Sequence, residues 1–225
     1  MLRVMRDLGC VRAQFYRNEA NPPAVADARR IAQDAGLSFD SMHGLFGARF
    51  DPSSPDEAKR KESVEVYRRE AQLSVDLGGP MVVVHPAPQA VDPTAKSPQV
   101  HAQRVDALRK SLGELAVIGE QDVLGDRLIR QDLGVTFLIE NLPGNYALGA
   151  DPVELAAILR EFDHPHIRMC FDTGHAHLTS RIADSLRSCM DVIAYIHVHD
   201  NDRRNDSHMI PGQGNLPWNQ IAPLM

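Results

Sequence analysis

Six short apolar runs alternate with amphipathic segments along this chain, and they predict parallel strands separated by helices. The strands are expected near residues 11–15, 38–43, 81–85, 136–140, 167–172 and 192–197. The segment 55–77 shows the helical part of the pattern, with apolar residues along one face and a Gly-Gly-Pro stop before the strand MVVVH. Because the strands are nearly continuous apolar runs, both faces should be covered, as in a parallel sheet that is open or closed into a barrel.

The number of strands bears on the architecture. Further helices are predicted near residues 23–36, 98–133, 151–162 and 180–190. The first residues, LRVMRDLG, have a helical pattern, and the last residues, NLPWNQIAPLM, begin another helix. A closed (β/α)8 barrel needs eight strands. We therefore expect one α/β domain over residues 1–225, a TIM barrel without its first and last strands. Unpaired sheet edges would favour a homo-oligomer, and the proline-rich loop 87–97 is the expected mobile lid.

Polar residues of metal-binding type close five of the apolar runs. They are His43, His85, Glu140, Asp172 and His197. Side chains at the carboxyl ends of parallel strands point into the crevice where α/β proteins bind ligands, so these five should converge. Imidazole and carboxylate groups are ligands of zinc, manganese and cobalt. The pattern predicts a metalloenzyme, although Glu140 could instead form a structural ion pair and either early histidine could be satisfied by backbone.

Four further residues join the candidate set. His175 follows Asp172 by three residues in FDTGHAH, where a turn would let both side chains face one cavity. In YIHVHDN we predict His197 as a ligand and His199 as a support for the ligands or a substrate contact, with loop capping as its alternative. Asp206 and His208, in NDSHMIPGQG, would be a solvated surface pair if taken alone. Trp218, the only tryptophan, is expected to pack a helix more readily than to wall the pocket.

Composition narrows the classes of partner. A net charge of −6 and a pI near 5.9 give no electrostatic footprint for nucleic acid. The three cysteines are widely spaced and lack a CxxC pair, which fits a reducing compartment. Because the sequence contains neither a membrane-length apolar run nor a signal-peptide core, we expect a cytoplasmic protein with a small-molecule substrate.

Taken in order, the blocks SMHG, VVVHP, LIENLPG, FDTGHAHL, HVHDN and DSH followed by PGQG resemble the xylose-isomerase-like TIM barrels. This superfamily unites sugar isomerases and epimerases with metal-dependent apurinic-site endonucleases, and the resemblance spans nearly the whole chain. In the sugar-isomerising members it implies one manganese, cobalt or zinc ion held by a Glu, an Asp, a His and a second Glu. The first three match Glu140, Asp172 and His197. The fourth lies on the family's final strand, and this sequence has no Glu after Glu161.

The endonuclease-type members are similar as well. For them the resemblance implies a three-zinc cluster whose ligands match, by position, His43, His85, Glu140, Asp172, His175, His197, Asp206 and His208; the terminal Glu again has no counterpart. Many sugar-isomerase-like members carry these histidines too. Two features disfavour DNA as the substrate: the acidic net charge, and the small number of Arg, Lys and aromatic residues in the loop GLFGARFDP.

We therefore expect a metal-dependent isomerase or epimerase of a small sugar, sugar phosphate or related hydroxy-carbonyl compound. The ion would chelate the carbonyl and neighbouring hydroxyl oxygens and stabilise an enediolate. The resemblance implies that Glu140 removes or returns the α-proton, while His175 and His199 would steady substrate hydroxyls. A multi-zinc phosphodiesterase is the alternative, and a non-catalytic remnant barrel that binds metal or sugar is the third hypothesis.

Overall fold

A single sheet of parallel strands organises the computed structural model, which describes residues 2–17, 24–90, 97–120 and 134–225. Within these residues the strands run in sequence order as β1 Arg12–Phe15, β2 Ser38–His43, β3 Met81–Val84, β4 Thr136–Glu140, β5 Ile167–Asp172 and β6 Ile193–His197. Each neighbouring pair is parallel. All six predicted strands are present, with bounds that agree to within one residue.

Helices connect the strands and cover the outer face of the sheet. They are α1 Leu2–Asp7, α2 Val25–Asp34, α3 Glu57–Leu77, α4 Pro98–Glu120, α5 Pro152–Phe162, α6 Thr173–Thr179, α7 Ile182–Cys189 and α8 Trp218–Ile221, with a final 3-10 turn Ala222–Leu224. Residues 121–133 of the predicted long helix and 91–96 of the predicted lid lie outside the described residues. One prediction was wrong: the chain continues directly from Asp172 into α6 instead of making a turn.

Local signals explain where the longer helices begin and end. The Asp56 side chain accepts hydrogen bonds from the backbone N–H groups of Ala58 and Lys59 and so caps the start of α3. The same helix ends at Gly78, whose φ of 99° is accessible to glycine at little cost. Asp151 caps α5 in the same way, with Pro152 in the first turn.

The sheet curls into an incomplete barrel. Its inner face carries a small apolar cluster of Val83, Leu138 and Cys170, against which Met81 and Tyr195 pack. The strands β3, β4 and β5 separate β2 from β6 in the sheet. Nevertheless Oγ of Ser41 on β2 lies 3.0 Å from the hydroxyl oxygen of Tyr195 on β6, so the inner faces of these two strands meet across the interior. Among the described residues, β1 pairs only with β2 and β6 only with β5.

The register places the carboxyl ends of the strands at one rim. Glu140 pairs with Cys170, and Asp172 pairs with His197. The carboxylates of Glu140 and Asp172 therefore lie at the ends of two neighbouring strands, β4 and β5. The helices in the described part of the chain include none with the length and apolar character needed to cross a membrane.

Candidate metal centre

The carboxylate of Glu140 lies at the centre of a ring of imidazoles. The residue is 2% exposed at the end of β4. Its Oε1 is 2.9 Å from Nδ1 of His197 and 3.6 Å from Nδ1 of His175. Its Oε2 is 3.1 Å from Nε2 of His85 and 3.4 Å from Nε2 of His43. Four histidines from four separate chain segments thus face one carboxylate.

Asp172 forms the second carboxylate of the site and also starts α6. Its Oδ1 accepts a hydrogen bond of 2.8 Å from the backbone N–H of His175, which is the helix-capping contact. The same oxygen lies 2.9 Å from Nε2 of His199, and Oδ2 lies 3.8 Å from Nδ1 of His197. The D-x-x-H spacing therefore works through a helix cap, which brings the His175 ring over the same cavity.

Asp206 gathers a third group of side chains on the loop that follows β6. Its Oδ2 is 3.2 Å from Nε2 of His175, and its Oδ1 is 3.3 Å from Nε2 of His208 and 3.9 Å from Nε2 of His199. The rings of His199 and His208 stack with centroids 3.9 Å apart and planes inclined by 2°. A backbone bridge between Asp200 and Met209 closes this loop back towards the barrel.

All nine predicted site residues line one cavity of about 540 Å³. Its walls also contain Tyr16, Phe46 and Tyr146, and Gln14 and Tyr195 contribute from the strands below. The strand-end pattern did not single out these three aromatic residues. Tyr16 directly follows β1 but is neither an imidazole nor a carboxylate, and Phe46 and Tyr146 lie on loops, beyond the ends of the strands. The indole N–H of Trp218 donates to Oδ2 of Asp200 at 2.7 Å, and its ring packs against the core away from the cavity lining.

Other histidines lie outside this cavity. His101 is near the surface with Nε2 2.7 Å from the carboxylate of Glu154, and His164 pairs with Glu120. His177, which was not predicted to have a role, is buried with Nε2 2.7 Å from Oδ1 of Asn215.

Several buried polar atoms at the centre lack a hydrogen-bond partner. These atoms are Oε2 of Glu140, Nδ1 of His85, Nε2 of His197, and both ring nitrogens of His199. Native structures rarely leave buried polar groups unsatisfied. Nitrogen and carboxylate oxygen donors in such contact suit a divalent zinc, manganese or cobalt ion. The residues present therefore fit a metal.

The donor atoms fall into overlapping groups whose members lie within 4.8 Å of one another. The groups are His43, His85 and Glu140; Glu140, Asp172 and His175; Glu140, Cys170 and His197; and His175, His199, Asp206 and His208. Backbone carbonyls orient two of the rings: Nδ1 of His43 lies 2.9 Å from the oxygen of Gly44, and Nδ1 of His175 lies 2.9 Å from that of Asn141. If each Nδ1 carries the proton, each Nε2 is free as a ligand atom.

The surrounding charges set the protonation states. Burial would raise the pKa of Glu140, but the imidazoles of His197, His43 and His85 hold it well below its ordinary value. Burial lowers the pKa of His85. Burial would also lower the pKa of His175, yet the nearby Asp172, Asp206 and Glu140 raise it to about 9. Burial would likewise raise the pKa of Asp206, but the imidazole of His175 lowers it, so Glu140 and Asp206 provide negative charge for a cation.

Comparison with known proteins supports the fold. Residues 3–225 match the family model described as xylose isomerase-like TIM barrel. The uncharacterized protein MJ1311 of Methanocaldococcus jannaschii is 27% identical over 76% of this chain and 55% of its own length. The probable endonuclease 4 of Thermoplasma acidophilum is 24% identical over 90% of this chain and 70% of its own length. The chain spans less than two thirds of MJ1311 and of a second M. jannaschii protein, MJ1614.

Solved structures of sugar epimerases have the same fold. A D-tagatose 3-epimerase-like protein superposes with a TM-score of 0.77 at 22% identity, over 95% of this chain and 76% of that one. A D-psicose 3-epimerase crystallised in the presence of D-fructose gives 0.76 at 18% identity, over 99% and 73%. At these identities the likeness establishes the fold alone.

Proposed function

Because the chain belongs to the xylose isomerase-like TIM barrel family, we propose that it is a divalent-metal-dependent isomerase or epimerase that acts on a small sugar through an enediolate. The observation that carries this proposal is the position of Glu140. Its carboxylate is buried, ionised and in contact with four imidazoles, and it lines an open cavity of sugar-binding size.

Glu140, Asp172 and His197 would hold the ion, with His43 and His85 supplying further donor atoms on the other side of Glu140. A bound divalent ion polarises carbonyl and hydroxyl oxygens and so acidifies the neighbouring C–H bond. Glu140 would act as the base that takes this proton. Return of the proton to the neighbouring carbon gives an isomer, whereas an epimer forms when the α-carbon receives a proton on its opposite face. The lowered pKa of Glu140 keeps the carboxylate deprotonated at neutral pH, as a proton acceptor must be.

The cavity lining favours a neutral sugar over a sugar phosphate. Among the described lining residues there is no Lys or Arg, the side chains that most often bind phosphate. Tyr16, Phe46 and Tyr146 offer aromatic surface for the C–H faces of a sugar, while His175 and His199 are placed to steady hydroxyl groups. The sugars that appear in the names of these structural relatives, D-tagatose, D-psicose and D-fructose, are neutral ketoses.

Solvent exchange at the α-carbon tests this proposal directly. The protein, reconstituted with manganese, cobalt or zinc, is incubated with each ketose in D₂O, and proton NMR follows loss of the α-proton and formation of an epimer. Exchange requires only one base, so it reports on Glu140 by itself. We expect exchange with at least one ketose. Its absence with every ketose and aldose tried would refute the proposal and favour a barrel that binds without turnover.

The variant Glu140→Gln separates chemistry from folding. The amide keeps the shape of the side chain but cannot accept the proton, so exchange should stop while the circular dichroism spectrum is unchanged. His101→Gln, which alters a histidine outside the cavity, is the matched control and should exchange at the wild-type rate. Retained exchange in Glu140→Gln would refute the role of this residue.

A multi-zinc phosphodiesterase is the second candidate, and the overlapping ligand groups around Glu140 favour it. The likeness to the probable endonuclease 4 supports the same candidate. Elemental analysis and cleavage of an oligonucleotide that carries one abasic site distinguish the two functions. About three zinc ions per chain together with cleavage would replace the isomerase proposal; one ion together with ketose turnover would exclude the phosphodiesterase.

A further inference from the structure

Two aromatic residues of the cavity, Tyr16 and Phe46, each have a sequence neighbour that contacts one buried carboxylate. Tyr16 precedes Arg17, and Phe46 follows Leu45. The carboxylate belongs to Glu70 on α3, which is 2% exposed and lies outside the cavity lining. Its Oε1 forms an ion pair with Nη2 of Arg17, and its Oε2 accepts a hydrogen bond of 3.3 Å from the backbone N–H of Leu45. One side chain thus contacts both segments that carry the aromatic rings.

We propose that Glu70 is a positioning residue that holds Tyr16 and Phe46 in place as an aromatic wall of the sugar site. Through this wall it sets the affinity for the ketose without taking part in the chemistry. The inference rests on the proposed function for the identity of the ligand. It goes beyond that function by giving a task to a side chain of α3, outside the cavity.

Helix α3 holds both polar groups of the Leu45 backbone. Tyr67, one turn before Glu70, is fully buried, and its hydroxyl donates to the carbonyl oxygen of Leu45 at 3.0 Å. Glu70 accepts from the N–H of the same residue. The N–H of Gly44 donates to a backbone oxygen of β3 at 2.9 Å, and a Cβ atom at Gly44 would lie only 2.6 Å from that oxygen. The backbone that leads into Phe46 is therefore fixed at each step.

The rings of the aromatic wall lie against histidines of the candidate metal centre. The Phe46 ring stacks on His85, with centroids 4.6 Å apart and planes inclined by 29°, and meets the His43 ring edge-on at 5.1 Å. The Tyr16 ring is edge-on to His43 at 6.1 Å. Tyr16 is 62% exposed and Phe46 40%. Both rings therefore keep a free aromatic face for the C–H groups of a sugar.

The burial of the ion pair favours a positioning role over a stabilising one. The side chain of Arg17 is 14% exposed and that of Glu70 is 2% exposed. Desolvation of two charges costs free energy that their attraction does not fully return, so apolar residues of similar volume often stabilise a fold as well or better. Burial raises the pKa of Glu70 even beside Arg17. The benefit of such a pair lies in the geometry that it fixes.

Two variants of Glu70 separate its two contacts. Glu70→Leu removes both the partner of Arg17 and the acceptor for the Leu45 N–H. Glu70→Gln loses the charge but keeps an oxygen that accepts from Leu45. Phe46 should therefore keep its position in Glu70→Gln and lose it in Glu70→Leu. Glu65→Gln, which removes a half-exposed ion pair on the same helix, is the matched control.

Kinetics separate affinity from chemistry. The proteins are loaded with zinc, and α-proton exchange in D₂O is followed at increasing concentrations of D-fructose, D-psicose or D-tagatose. In Glu70→Leu, KM should rise by roughly 3- to 10-fold, the equivalent of one aromatic contact. The rise should be smaller in Glu70→Gln and absent in the control. The value of kcat should stay that of the wild type, because Glu140 and its contacts are unchanged. In the background Tyr16→Ala/Phe46→Ala, KM should no longer respond to Glu70→Leu.

The position of the Phe46 ring is measured without any sugar. Nuclear Overhauser contacts between the rings of Phe46 and His85 report on it directly, since the two rings are stacked. These contacts should be present in the wild type, Glu70→Gln and the control, and absent in Glu70→Leu. If Glu70→Leu does not fold, Tyr67→Phe replaces it. Loss of that hydroxyl frees only the Leu45 carbonyl, and the same contacts should weaken.

The outcomes distinguish this proposal from the proposed function. If the wild type exchanges none of the three ketoses, the proposed function fails and the choice of ligand fails with it, while the Overhauser contacts still decide whether Glu70 holds Phe46. If the wild type exchanges a ketose and Glu70→Leu has the same KM, or keeps the contacts between Phe46 and His85, the positioning role is overturned. A rise in KM that persists in the background without both rings assigns Glu70 to stability alone and overturns it as well.

Discussion

Asn141 binds the backbone of Asp172 on both sides. Its Nδ2 donates to the carbonyl oxygen of Asp172 at 3.0 Å, and its Oδ1 accepts from the N–H of the same residue at 2.8 Å. Asn141 is fully buried and directly follows Glu140, and its own carbonyl oxygen lies 2.9 Å from Nδ1 of His175. Asn141 therefore positions the backbone of Asp172 and orients the ring of His175.

The variant Asn141→Ala should weaken both the fold and the metal site. Removing the amide breaks two buried hydrogen bonds to the backbone of Asp172, and each buried group that is left unsatisfied costs about 1–3 kcal/mol. Because Asp172 then loses its support, zinc affinity should fall by roughly 10- to 100-fold. Urea unfolding and zinc titration measure the two effects. Asn145→Ala, at an exposed asparagine of the same loop, should change neither; equal behaviour of the two variants would contradict the role of Asn141.

A methyl group at Gly174 should disturb His199. In a helix, Gly→Ala usually stabilises by about 0.5–1 kcal/mol, but at this position the new Cβ would collide with the His199 ring. We expect Gly174→Ala to destabilise the protein, because the His199 ring must leave its position 2.9 Å from Oδ1 of Asp172. Gly113→Ala in α4 is the matched control, since the nearest atom to its Cβ is 3.8 Å away in Phe162. The control should melt at or above the wild-type temperature. Stabilisation of Gly174→Ala would show that the ring moves aside freely.

The strands and the convergence of the site were predictable because both follow from short-range patterns. A buried parallel strand is a continuous apolar run, and its last residue must emerge at the ligand-binding rim. This reasoning located Glu140, Asp172 and His197 within one cavity although they belong to different strands.

Features that depend on tertiary contacts were not predictable. The sequence FDTGHAH predicts a turn where the structure has helix α6, because Thr-Gly after an aspartate is also ordinary turn chemistry. The contact of this helix with the segment after β6 appears only in three dimensions. The contact between Ser41 and Tyr195, which shows the curl of the sheet, joins residues 154 positions apart. Tyr16, Phe46 and Tyr146 lie on loops whose path the sequence pattern leaves open.

The three cysteines should differ in reactivity. Burial raises the pKa of Cys170 well above its ordinary value and that of Cys189 to about 11, whereas Cys10 is half-buried near the N-terminal helix. Since the thiolate is the nucleophile, a disulfide reagent at pH 8 should label one thiol in the native protein and all three in urea. Cys10→Ser should abolish the native reaction. Fast native labelling of two or three thiols would show that β5 or α7 opens readily.

The carboxylate of Asp200 should make stability depend on pH in the acid range. It is fully buried, Oδ1 accepts from the N–H groups of Asn201 and Leu216, and Oδ2 accepts from the N–H of Gly212 and the indole of Trp218. Burial would raise its pKa, but these donors lower it to about 2, from an ordinary value of 3.8.

A depressed pKa means that the stabilisation is fully present above pH 4 and is lost as the pH falls towards 2. The shift corresponds to about 2 kcal/mol. In metal-free protein, the difference in unfolding free energy between wild type and Asp200→Asn should be of this size at pH 6 and should shrink towards pH 2, as measured by urea unfolding at each pH. Asp34→Asn, whose side chain is 69% exposed, should show a small difference at every pH. If the difference in unfolding free energy between wild type and Asp200→Asn were the same at every pH, the charge of Asp200 would add nothing to the four hydrogen bonds that this side chain accepts.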